Sequence, residues 1–185
     1  MKRPGLAALA LALAACGQPA RPRTPNDVVR AEVEKAESAE KARQHDQARA
    51  HYEAAIAAAK DPASIAFARR EFAETLISWM EVAEAILQLE GVVAVDPNNE
   101  ASWNDLGVLY HNQGDNRRAL DALVRARTTA PRDIRPRIAL AALRWQTGDR
   151  AVAAAEYKEL LELDLPDRVR DKVKWALAEL AKPQP

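Results

Sequence analysis

WNDLGVLYHNQGDNRRALDALVRARTTAP, Trp103 to Pro131, decides how this chain folds. Trp103, Leu106 and Tyr110 are spaced for one helix face, and Ala119, Leu123 and Ala126 for another. Gly114-Asp115 between them reads as a turn. Gly107 is the puzzle, because a helix-interior glycine costs about 1 kcal/mol relative to alanine. A neighbouring backbone that passes too close for a larger side chain would explain it.

Comparison of the chain with itself supports that explanation. Ala85, Ala119 and Ala153 recur every 34 residues, as do Leu89, Leu123 and Tyr157, and Phe72, Leu106 and Leu140. Ala73, Gly107 and Ala141 share the same register, so the site demands a small residue and not glycine's dihedral freedom. Alanine at 107 is therefore expected to be tolerated. Pro97 and Pro131 repeat too, and Pro166 comes one residue late. Aromatics make up only 5% of the chain, and no alternating stretch supports a strand. The fold class is all-α.

A 34-residue period with two helices per unit, carrying Trp103, Leu106, Gly107, Tyr110, Ala119, Leu123, Ala126 and Pro131, resembles the tetratricopeptide repeat. The resemblance implies a right-handed α-solenoid of antiparallel helix pairs, at 27–62, 66–99, 100–133 and 134–167. An amphipathic helix at 167–182, with Val169, Val173, Leu177 and Leu180 on one face, then caps the stack. The flanking copies are looser. Arg69 replaces the large aromatic, and Ser78 with Glu81 reads as a capping box opening a second helix. Pro136 falls in a first turn, where proline is tolerated. Ala48, Tyr52 and Ala55 belong to a first unit whose Ala48 precedes Ala85 by 37 residues, so a longer connection is expected around Asp61-Pro62.

The N-terminus reads as an address. Lys2 and Arg3 precede an apolar run from Leu6 to Ala15, too short for the roughly 20 residues of a membrane-spanning helix. Leu13-Ala14-Ala15-Cys16 resembles the lipobox of bacterial lipoproteins. That resemblance implies a signal peptide at 1–15, acyl chains (palmitate among them) on Cys16, and a proline-rich tether at 16–26. Several acyl chains hold a protein on a bilayer, at about 0.8 kcal/mol per buried methylene. By the sorting rule familiar from lipoproteins of enteric bacteria, the resemblance, with no Asp at position 17, implies the outer membrane, with the folded part facing the periplasm.

Composition narrows the function. Lys+Arg and Asp+Glu are both 27, so no basic excess argues for nucleic acid. Cys16 is the single cysteine, and His45, His51 and His111 are scattered, so neither a disulfide nor a metal site is expected. Neither a nucleophile elbow nor a phosphate loop is present, and the chain reads as a non-enzyme without cofactor.

The resemblance further implies that first-helix side chains line a concave groove for a protein or peptide partner. Carried over, its positions are Val33 and Glu37, then Arg70, Glu74 and Ile77, then Asn104, Val108 and His111, and lastly Ile138, Ala142 and Trp145. Asp105 and Val108 stand where relatives that clamp a C-terminal carboxylate carry asparagine. Trp145 has two readings, a groove anchor or a packing residue against the cap helix beside Trp175. The expected function is a lipid-anchored adaptor for an envelope machine, such as a pilus secretin, a β-barrel insertion complex or a peptidoglycan enzyme complex. The alternatives are an exported ligand receptor or enzyme using the groove, and a self-associating structural lipoprotein.

Overall fold

The computed structural model describes residues 25–183, and within them the chain forms nine α-helices and no strand. They are α1 (Pro25–Lys41), α2 (His45–Ala58), α3 (Pro62–Ser78), α4 (Val82–Val95), α5 (Glu100–Asn112), α6 (Asn116–Thr129), α7 (Ile134–Gln146), α8 (Arg150–Leu161) and α9 (Asp167–Leu180). The leader, Cys16 and nearly all of the tether lie outside the described residues. No described helix is long and apolar enough to cross a membrane.

Each odd helix packs on the even helix that follows, and each even helix on the next odd one. In addition α1 touches α3, and α5 touches α7, so the odd helices form an inner layer and the even helices an outer one. The buried face of every pair carries the periodic residues: Tyr52 and Phe72, Leu89, Leu106, Leu123, Leu140 and Leu160 are all nearly sequestered. One apolar cluster runs from Val29 to Leu143. A second, around Tyr157, Leu160 and Leu165, takes in Val173, Ala176 and Leu180 of α9. Arg150 fixes the end of α9 by donating to the carbonyls of Glu179, Leu180 and Lys182 at 3.2, 2.9 and 3.0 Å.

The turn inside each pair is the same device four times. The amides of Gln44, Glu81, Asp115 and Asp149 reach back to the carbonyls of Ala39, Leu76, Tyr110 and Arg144, which closes a Schellman turn. The residue before each of those amides has positive φ: Arg43 (59°), Met80 (64°), Gly114 (81°) and Gly148 (94°). The first two pairs thus place a side chain where glycine is favoured.

Three expectations need correction. Ser78 does not cap α4: it lies within α3, its hydroxyl donates to the Thr75 carbonyl at 2.7 Å, and Glu81 precedes α4 without a side-chain cap. The extra three residues of the first unit do not lengthen a connection. The α2–α3 link is short (59–61), and α3 has 17 residues where α5 has 13. Asp61 starts that additional turn by accepting from the Ser64 amide at 3.0 Å, with Pro62 in the first turn. Finally, a Cβ on Gly107 would lie 2.5 Å from Cγ of the buried Leu123, closer than packed carbons approach. The reading that alanine is tolerated there therefore fails; the site has no room for a methyl group unless Leu123 moves.

Candidate binding groove

The exposed flank of α1, α3, α5 and α7 is the concave side, and it changes character along its length. Between α1 and α3 lies a hollow of about 420 Å³, lined by Glu37, Glu40, Lys41, Tyr52, Glu71, Glu74 and Thr75. Thr75 Oγ1 donates to Glu40 at 3.0 Å, so the Tyr52 hydroxyl, 2.9 Å away, must donate to Thr75. This chain of bonds ties α1, α2 and α3 together. Burial and the neighbouring Glu74 and Glu37 charges push the Glu71 carboxyl above its ordinary value, with Arg70 acting in the opposite sense.

Further along, neighbouring inner helices are cross-braced. Arg70 donates to Asp105 and Ser102 at 3.1 Å each and also pairs with Glu74 at 2.8 Å. Arg135 bridges Glu100 at 3.2 Å and Asp133 at 2.6 Å. Glu100 keeps one oxygen without a hydrogen bond, and burial together with Asp133 raises its pKa. The Arg70–Asp105 and Arg135–Glu100 pairs each join residues 35 apart, one helix pair plus one step, and they consume groove charge internally.

The expected groove residues separate accordingly. Glu74 and Val108 are exposed, whereas Arg70, Ile77, His111, Ile138, Ala142 and Trp145 are half-buried. His111 is engaged with Asn116 at 2.9 Å, across the α5–α6 turn. Asn104 is only 8% exposed and its Oδ1 has no partner, so its side chain belongs to the groove floor and not to its surface. Val33 is a core residue, which corrects its placement in the groove: α1 turns that face onto the first apolar cluster. Trp145 packs against α9, its ring centroid 6.0 Å from that of Trp175 at 47°. Trp175 is the indole left largely open, at 62% exposure. The sequence reading missed Glu71 and the inward face of Glu40, and it named Trp175 only as the packing partner of Trp145. The first two face the hollow only because α1 packs on α3, and Trp175 carries no repeat register.

Residues 89–121 match the family model described as the tetratricopeptide repeat. The chain has the fold of a tetratricopeptide-repeat solenoid. No curated protein matches the chain. Among solved structures, MamA protein superposes with a TM-score of 0.71 at 14% identity, covering 83% of this chain and 81% of that one. YrrB, described as a tetratricopeptide-repeat protein with an unusual peptide-binding site, gives 0.67 at 17% identity over 84% and 76%. PilF of Pseudomonas aeruginosa gives 0.65 at 20% identity over 85% and 69%. The solenoid has no group of three or more His, Cys, Asp or Glu that could hold a metal ion among its described residues.

Proposed function

We propose that this solenoid is a protein–protein adaptor that takes an extended segment or helix of its partner along the concave side, tethered to the cell envelope by lipid on Cys16. Repeats of this kind are interaction modules, and the fold neighbour YrrB is described by its peptide-binding site. The observation that carries the reading is the graded groove, acidic between α1 and α3 and apolar from Val108 toward Trp145 and Trp175. A segment with a basic end and an aliphatic or aromatic end fits that gradient. The envelope role rests on Leu13-Ala14-Ala15-Cys16 alone and names no machine.

The test has two arms. Cys16→Ser should move the protein from the detergent phase to the aqueous phase; a Cys16→Ser protein that is exported yet stays on the membrane sinks the lipid anchor. Envelope crosslinking from a probe at Val108 should trap a partner, and Glu74→Lys with Val108→Asp should abolish the capture while leaving the melt unchanged. Capture unaffected by that double change removes the groove from the reading.

A further inference from the structure

The outer side of the solenoid carries a feature that the groove does not use. Met80, Ala83, Leu87 and Ala94 run along the outward face of α4 and its leading turn, and all are exposed, Met80 by 80% and Leu87 by 61%. Every charge on that helix is drawn sideways. Glu81 and Glu84 hold Arg49 of α2 at 2.5 Å each, and Glu90 accepts from Tyr110 of α5 at 2.6 Å. The corresponding face of α6 is different, with Arg117, Asp121 and Arg125 exposed. Apolar surface grouped on one helix marks an interaction site, whereas the same residues scattered singly would not.

The flanking helices indicate what covers it. On α2, Asp46 and Glu53 are exposed, and on α6, Arg117 and Arg125 are exposed; none of the four has an ion pair among the described residues. Asp46 and Arg117 are each the second residue of their helix, and Glu53 and Arg125 lie near the ninth and tenth positions. The apolar helix therefore runs between α2, with Asp46 and Glu53 unpaired, and α6, with Arg117 and Arg125 unpaired on either side of Asp121, in matching register.

We propose that α4 is the centre of a twofold interface with a second copy of this chain. A twofold axis along α4 lays Leu87 against its own equivalent and places α2 of each copy over α6 of the other. Asp46 then meets the other copy's Arg117, and Glu53 meets Arg125, twice over. Such an interface is self-complementary and closes as a dimer. The face centred on α4 is about 21 Å long at 1.5 Å per residue, and α2 and α6 reach α4 through the Arg49–Glu81, Arg49–Glu84 and Arg118–Glu90 ion pairs. The contact is therefore smaller than the ~800 Å² per copy of a standard interface, so the dimer is weak and reversible. The groove lies on the opposite side and stays open, so this inference stands or falls apart from the adaptor reading.

Sedimentation velocity on the full chain under reducing conditions, across the micromolar range, tests it. The expected result is a reversible monomer–dimer equilibrium that Leu87→Glu weakens by about 10-fold or more. Asp46→Arg and Arg117→Asp should each weaken it several-fold, and the double variant should restore it. These two residues lie on separate helices of one chain, so rescue requires contact between copies. Circular dichroism controls for folding, and the charge swaps provide the test should Leu87→Glu unfold. A chain monomeric throughout the range, a dimer indifferent to Leu87→Glu, or a swap without rescue overturns the proposal. A monomer whose position 83 photo-crosslinks to a different protein overturns it in favour of a heterologous helix.

Discussion

Ala73 and Leu89 in the second helix pair hold the places that Gly107 and Leu123 hold in the third, and all four are buried. The left-handed turn residue is Met80 in one pair and Gly114 in the other. Arg69 of the second pair corresponds to Trp103 of the third; the arginine lies along Gly91 and donates to Gln88 at 2.7 Å, while the indole donates to the Pro97 carbonyl at 2.9 Å. Outward, the second pair is apolar on α4 and the third is charged on α6. The backbone imposes the same demands on both pairs: a small residue at the crossing, positive φ at the turn, and cover over the crossing helix. Each pair meets them with different side chains and a different amount of strain.

Exchanging those solutions tests the comparison. The largest effect is expected from Leu123→Ala, which should cost about 2–5 kcal/mol because the side chain is fully buried. Gly107→Ala should cost about 1–3 kcal/mol by overpacking against Leu123. In the Leu123→Ala background the same change should become neutral or stabilising, since the obstacle is gone and alanine favours helix. Denaturant melts of the four proteins give the coupling; strict additivity would break the packing account.

Met80→Gly should stabilise by about 1 kcal/mol, because a side chain in the left-handed region costs about 1–2 kcal/mol. A lower melting midpoint would contradict the strain reading. Glu71→Gln is a smaller perturbation with a pH signature. A carboxyl whose folded pKa is raised penalises the fold while it is charged, and the penalty disappears as pH falls below its ordinary unfolded value. The variant should therefore melt higher than the parent at neutral pH, and the gap should close as pH falls through the raised pKa. A gap that widens on acidification would reverse the assigned sign. Gly91→Ala should change least, within about 0.5 kcal/mol, because helix propensity gains what displacing a flexible arginine stem loses. A loss comparable to that at Gly107 would mean that Arg69 is locked in place.

The repeats were legible in the sequence because each unit sees nearly the same neighbours, so Phe72, Leu106 and Leu140 must recur for the core to close. Pro166, one residue late in the period, ends the five-residue link (162–166) before α9. The candidate site was less legible. Its positions could be counted off the period, but their availability could not: Asn104 sinks into the floor, Arg70 is spent on Asp105, and Val33 turns inward. Groove chemistry depends on which side chains from neighbouring helices reach one another, and that is not periodic.

By itself, then, the sequence determined the all-α solenoid, its register and its helix count, since local spacing of apolar residues and turn chemistry act within a few residues along the chain. Only the tertiary structure decided that the first unit's surplus lengthens α3, that Leu123 leaves no room at Gly107, and that Trp175 is more open than Trp145. The physical reason is packing: steric fit and charge pairing between helices depend on side-chain directions at close approach, and the linear pattern does not encode those directions.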